Sequence, residues 1–238
     1  MALPFFYIEE FDAGASLITL NEVTSKHVVQ VLRMQTGEQL NLTDGKGNLL
    51  TATITEAHKK NCVVKVIDTS CKLRAARKTV VAISLVKNAS RFEWFLEKAT
   101  ELGVTEVVPL LCERTERQHF RYERMKGIVI SAMLQSQQTW LPLLHQPISF
   151  KEYVLQTENT IDVQKMIAHC EEGNKKSLMQ VMDAGASMYN ILIGPEGDFS
   201  NDEIKLALQH HYSPVALGET RLRTETAGMA AATLLCIQ

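Results

Sequence analysis

Two short stretches hold the residues best suited to do chemistry. One is Ile191 to Glu203, ILIGPEGDFSNDE, and the other is Leu217 to Gly228, LGETRLRTETAG. Each reads as an apolar strand that stops at a glycine and turns sharply toward a helix start. A glycine at a strand end lets the main chain approach a bound molecule closely, because no Cβ holds it off. No GxGxxG follows the first strand of the α/β region, and GxxxxGK[ST] is absent, so the dinucleotide and phosphate-loop readings fail. Two glycine turns without a phosphate cradle suit a nucleoside-like cofactor that lacks a phosphate tail, and S-adenosylmethionine fits that description. Arg223 stands in a loop leading into a helix, where its cation can hold a phosphate or stabilise an anionic base. Glu225 and Thr226 are placed to meet first-turn N–H groups, and Glu196 can cap a backbone or bind an amine.

Other chemistries find little support. There is no nucleophile elbow, HExxH or paired-carboxylate constellation. The five cysteines are scattered without CxxC spacing, which speaks for free thiols in a reducing cytoplasm and against a zinc site or a disulfide framework. His27, His58, His119 and His145 lack ligand spacing. His169 ends a strand near the expected pocket, and its simplest reading is a buried histidine with satisfied hydrogen bonds.

The elements that must position the two stretches fall into two groups. From Phe5 to about Thr69 the pattern is short and β-rich: Phe6–Ile8, Gln39–Thr43, Leu50–Ile54 and Cys62–Ile67, with turn residues at Asp44–Gly47 and one helical stretch from Ser25 to Arg33. This predicts a small barrel over residues 1–72. Beyond Thr79, strands at Val80–Val86, Val104–Leu111, Lys165–His169, Tyr189–Ile193 and Pro214–Leu217 alternate with helices near Arg91–Leu102, Arg121–Gln137, Ser177–Met182, Asn201–His210 and Glu225–Cys236. Such alternation predicts a mostly parallel sheet covered by helices over residues 73–238. Open α/β sheets bind ligands beyond the carboxyl ends of their strands, where both glycine turns are expected. Ser90 and Glu93 read as a capping box, and Gly103 as the stop of the same helix.

At 238 residues and 45% hydrophobic content, the chain can bury a substantial core. No apolar run approaches the roughly 18 residues of a membrane span. The start, MALPFFYIEEFD, lacks the basic region of a secretory signal. The net charge of −2 conceals an uneven distribution: residues 71–126 carry twelve Lys/Arg against seven Asp/Glu, net +5, while residues 127–238 are net −5. A local basic excess is the footprint of phosphate contacts, although a solvated helix face would look the same.

The motif Gly194-Pro195-Glu196-Gly197 with Phe199-Ser200, together with Leu217-Gly218 and Leu222-Arg223-Thr224-Glu225-Thr226-Ala227, resembles the ribosomal RNA small subunit methyltransferase E family, of the SPOUT class. The resemblance extends to KATELGVTEVVPL at Lys98–Leu110 and to HVVQVLRMQTGEQLNLTDGKG at His27–Gly47. It implies an N-terminal PUA-like barrel, an α/β trefoil-knot domain, a homodimer, and methylation of uridine N3 in 16S rRNA of the small ribosomal subunit. It further implies a cofactor pocket from Ile193, Gly194, Pro195, Glu196, Gly197, Leu217, Gly218, Leu222, Arg223, Thr226 and Ala227, with Arg223 and Glu225 in the chemistry. RNA contacts are expected at Arg33, Lys87, Arg91, Arg114, Arg117 and Arg121; no metal is expected. The chain departs from the family pattern at Asp198, which replaces a common second glycine, at Thr220-Arg221, and at Gln138, where an arginine often stands. A non-catalytic RNA-binding assembly factor, or a related enzyme for another RNA target, are the rival readings. For Ala227–Thr233, the small side chains fit a helix packed inside one subunit, whereas the resemblance implies a dimer face.

Overall fold

The computed structural model describes residues 3–12, 14–116, 119–158, 160–171 and 175–237. The chain divides into two units, Met1–Arg74 with Met133–Leu141, and Ala75–Ala132 with Pro142–Gln238.

In the first unit, β1 (Phe5–Tyr7), β2 (Leu17–Thr19), β3 (Gln39–Thr43), β4 (Asn48–Glu56) and β5 (Val63–Cys71) form one sheet in the order β1-β3-β4-β5-β2. Only β1 and β3 run parallel; the other neighbours are antiparallel. Alternation drives one face inward: Leu40 and Leu42 of β3, Leu50, Ala52 and Ile54 of β4, and Val64 of β5 are buried. Register shifts at Thr51/Ala52 and Ile54/Glu56 bend the long hairpin, as bulges do. The sheet therefore curls around its core, which α1 (Glu22–Lys26) and the π-helical turn His27–Val31 complete through Val28. Asn21 caps α1, accepting from the Thr24 N–H at 2.8 Å.

The Asp44–Gly47 turn is covered from far along the chain. Gly45 and Gly47 have φ of +70° and +98°, and a Cβ on either would strike Leu141 at 2.8 Å or the Trp140 ring at 2.6 Å. Leu141 N–H donates to Gly45 O at 2.8 Å, and Gly47 N–H to Thr139 O at 2.9 Å. The Trp140 indole donates to Lys72 O at 2.9 Å, and the Arg74 guanidinium lies 5.4 Å over its ring. Residues 133–141 thus complete the first unit despite their place in the second half of the sequence.

The second unit comprises β6 (Lys78–Ser84), α2 (Ala89–Glu101), β7 (Glu106–Leu111), α3 (Tyr122–Gln135), β8 (Leu143–Leu144), β9 (Ile148–Ser149), α4 (Phe150–Gln156), β10 (Val163–Ala168), β11 (Lys176–Ser177), α5 (Leu178–Val181), β12 (Met188–Ile193), α6 (Asn201–Gln209), β13 (Ser213–Ala216) and α7 (Thr224–Cys236). The C-terminal residues of α3 belong to the first unit. All strand pairs are parallel, in the order β11-β13-β10-β12-β6-β7-β8, with β9 also on β7. The central strands β6 and β12 are buried almost end to end, because helices cover both faces of a parallel sheet. Phe150, Tyr153, Ile204 and Ala207 of α4 and α6 pack on Val80, Ala82, Leu110 and Leu192.

The opposite face takes α2 and α7. Gly228 of α7 is pressed so close that a Cβ would stand 2.7 Å from both Ile83 and Phe95. Phe95 is fully buried, and such burial contributes about 2 kcal/mol. Gly228, Ala231, Ala232 and Leu235 of α7 are buried inside this unit, while Thr233 in the same run is exposed. The expected capping box of α2 is corrected: the cap is Asn88, which accepts from the Ser90 N–H at 3.0 Å. Glu93 instead forms a bidentate pair with Arg124, at 2.6 and 2.9 Å. Helix α4 was not foreseen, although Ser149 caps it and Phe150, Tyr153 and Val154 mark its buried stripe.

Candidate functional site

A cavity of about 370 Å³ opens at the carboxyl ends of the neighbouring strands β10 and β13. Ala168, His169, Cys170 and Lys175 wall it on the β10 side. Val215 to Leu222 wall it on the β13 side, and Ala227 of α7 completes it. Two parallel strands that end together leave their following loops diverging, and that divergence opens the space. Gly218 has φ +152° and open space where a Cβ would stand, so backbone conformation is what demands glycine there. No side chain from another segment hydrogen-bonds to Gly218–Arg221 among the described residues.

His169 differs from its expected satisfied state. It lines the cavity, yet both ring nitrogens are buried without a hydrogen-bond partner among the described residues. Burial, reinforced by the Lys175 ammonium, holds its pKa below the ordinary value of 6.5. Lys175 donates to the His169 carbonyl at 2.6 Å and also to the Glu171 carbonyl.

The other glycine turn, Gly194–Phe199, is filled with protein contacts. A Cβ at Gly194 would come within 3.1 Å of the Phe199 ring, and one at Gly197 within 3.3 Å of Arg114. Glu196 accepts from the Lys87 N–H at 2.9 Å, and Arg114 donates to the Gly197 carbonyl at 2.7 Å. Asp198, the departure from the family pattern, adopts φ +63°. That region favours glycine but tolerates Asp. Its carboxylate accepts from the Cys170 N–H at 2.7 Å and the Phe199 N–H at 2.9 Å, tying this turn to the wall of the cavity. Ser200 and Glu203 then form a capping box for α6, a motif that contributes about 1 kcal/mol.

Of the residues singled out from sequence, Leu217, Gly218, Leu222 and Ala227 line the cavity. Ile193 is buried at the end of β12, and Gly194, Pro195, Glu196 and Gly197 form the braced turn just described. Arg223 is the exposed N-cap residue of α7, next to Leu222, and Thr226 is exposed one turn on. Glu225 is 7% exposed, with one oxygen 3.6 Å from Arg91 Nε and the other unpartnered. The basic excess is partly consumed by structure. Lys87 pairs with Glu116 at 2.8 Å, Arg124 with Glu93, and Arg77 donates to the Ala186 carbonyl while lying 4.7 Å over the Tyr189 ring. Arg121 is exposed, its nearest recorded partner being the His119 ring at 3.5 Å. Arg33 lies exposed in the first unit at φ +57°. Arg117 lies outside the described residues. The sequence reading overlooked Ala168, Cys170 and Lys175, whose place follows from the parallel register of Ala168 with Val215. No cluster of His, Cys, Asp and Glu that could hold a metal ion, and no helix long and apolar enough to cross a membrane, occurs among the described residues.

Known proteins share this arrangement. Residues 74–236 match the RNA methyltransferase domain family, and residues 20–67 match the RNA methyltransferase PUA domain. The chain is thus a SPOUT-class protein, with a PUA-like domain followed in sequence by an α/β-knot RNA methyltransferase domain. Ribosomal RNA small subunit methyltransferase E of Synechocystis is 31% identical over 216 residues, covering 88% of this chain and 69% of that protein. The crystal structure of a probable rRNA-methyltransferase from Porphyromonas gingivalis superposes with a TM-score of 0.89 at 35% identity, covering 98% and 97% of the two chains. Ribosomal RNA small subunit methyltransferase E from Neisseria gonorrhoeae, bound to S-adenosyl methionine, superposes at 0.87 with 26% identity, covering 98% and 97%. This chain belongs to the ribosomal RNA small subunit methyltransferase E family.

Proposed function

We propose that the protein transfers a methyl group from S-adenosylmethionine to N3 of a uridine in 16S rRNA, acting in the cytoplasm as a homodimer. The observation that carries the reading is the cavity beside Gly218: an open, glycine-permitted loop at the carboxyl ends of two parallel strands, in a chain of this family. Its volume of about 370 Å³ falls in the range of small-molecule sites, roughly 300–1,000 Å³. The residues suit a nucleoside: apolar Ala168, Val215 and Leu217 for a base, and the unpartnered ring nitrogens of His169 for polar groups.

When bound, S-adenosylmethionine supplies the methyl as the electrophilic carbon of a sulfonium. This chain's residues must hold the two reactants in line, an entropic task that positioning alone makes effective. Uracil N3 carries a proton that leaves to solvent as the N–CH3 bond forms and the S–CH3 bond breaks, so negative charge develops on the base. Arg223, exposed at the N-terminus of α7, offers a cation to that charge, and the positive end of the helix dipole adds to it. The target uridine must be unpaired to present N3. Phosphate contacts to the RNA fall first to Arg33, Arg117 and Arg121, because Lys87, Arg91 and Arg114 already meet Glu116, Glu225 and the Gly197 carbonyl.

Purified protein incubated with small ribosomal subunits and isotope-labelled S-adenosylmethionine tests the reading. N3-methylation blocks base pairing, so the expected product stops reverse transcription at one uridine and yields 3-methyluridine on nucleoside analysis. Label in another base, or none with a folded protein, overturns it.

A further inference from the structure

His169 sits at the end of β10 with its backbone already committed: its carbonyl accepts from Lys175. Its ring faces a different situation. Both nitrogens are buried, neither has a hydrogen-bond partner among the described residues, and the residue lines the cavity with Gly218 and Leu222. A buried polar group without a partner is costly. A ligand in the cavity, met by a turn of the ring toward it, would supply the missing hydrogen bonds.

We propose that the neutral imidazole of His169 is a direct hydrogen-bonding ligand of the cofactor, offering one donor and one acceptor to an uncharged polar edge such as a ribose diol. This rests on the cavity being the S-adenosylmethionine site. Protonation removes the acceptor and places a cation in the same cavity as a sulfonium, so cofactor affinity falls as His169 becomes charged. The surrounding charges are Lys175 and Glu171 on its own loop, Asp198 from the braced turn, and Glu219 and Arg221 across the cavity. Lys175 and burial keep the ring neutral, while Asp198 and Glu171 oppose them. The neutral form therefore prevails through neutral pH and gives way only under acid conditions.

The test is calorimetric titration of the full chain with S-adenosylmethionine and with S-adenosylhomocysteine, at pH 8 and pH 5.5, for wild type, His169→Ala and His169→Gln. Circular dichroism confirms that each variant is folded. At pH 8, His169→Ala should bind about tenfold more weakly, the scale of one or two lost hydrogen bonds. Wild-type affinity should fall as pH drops from 8 to 5.5, and by more for S-adenosylmethionine than for the uncharged-sulfur product. His169→Gln keeps a donor and an acceptor without titrating, so it should bind near the wild-type level at pH 8 and lose the wild-type excess of pH dependence. Comparing variants cancels the ionisation of the cofactor itself. Wild-type affinity in His169→Ala, or the full wild-type pH response in His169→Gln, overturns the proposal. A folded wild-type protein that binds neither ligand at either pH sinks the cofactor reading instead.

Discussion

The two glycine turns look alike as strings of residues and differ as structures. Gly194–Phe199 is braced from three sides: by Lys87 through Glu196, by Arg114 through the Gly197 carbonyl, and by Cys170 through Asp198. A Cβ at Gly194 or Gly197 would crowd Phe199 at 3.1 Å or Arg114 at 3.3 Å. Gly218–Arg221 has no such bracing side chains among the described residues, and Gly218 faces open space at φ +152°. One turn is filled by the protein's own contacts and the other is open, as the proposed cofactor site requires. Rigidity on one side of a site and vacancy on the other is what a small-molecule pocket needs, since bound ligand cannot compete with contacts the protein already makes.

The largest expected effect separates chemistry from both turns. Arg223→Ala should lower single-turnover methyl transfer at saturating RNA and cofactor by roughly 10²–10³-fold, the scale of losing one charge-stabilising group, with cofactor affinity retained. A wild-type rate there would leave Arg223 at most a binding residue.

Valine at the two glycines opposes the turns directly. Gly218→Val should weaken S-adenosylmethionine binding by about tenfold or more, as a backbone strain of about 1–3 kcal/mol reshapes the open loop. Gly194→Val should act first on the melting temperature, because its Cβ meets Phe199. If calorimetry and melting curves gave the reverse assignment, the division of roles between the two turns would fall.

A smaller effect should follow from Glu196→Ala, which leaves the Lys87 N–H without its carboxylate. The loss is about 1 kcal/mol for this solvent-accessible bond, or a melting shift of roughly 2–4 °C. Binding by the folded variant should change little.

The smallest effect is a pH slope. His169 has a lowered pKa in the folded protein, so the unfolded chain takes up a proton that the native state refuses. Stability is complete above pH 6.5, the ordinary value, and declines as pH falls below it toward the folded value. Melting temperatures of His169→Gln over that window should fall less than wild type; equal slopes would mean another group titrates.

The sequence by itself determined the alternation of elements, both glycine turns, the stop at Gly103 and the family pattern. These are written in local periodicity and turn chemistry, and local rules act within a few residues. Asp198 was visible as a departure, but its bond to Cys170 was not, because hydrogen bonds across 28 residues have no local signature. Tertiary structure alone decided that Thr139–Leu141 covers the Asp44–Gly47 turn, and that Arg77, Arg114 and Arg124 are engaged in protein contacts. It also decided that one glycine turn is filled and the other open. Whether a glycine makes room for a side chain or for a ligand depends on what the rest of the chain brings beside it, and that is settled by packing.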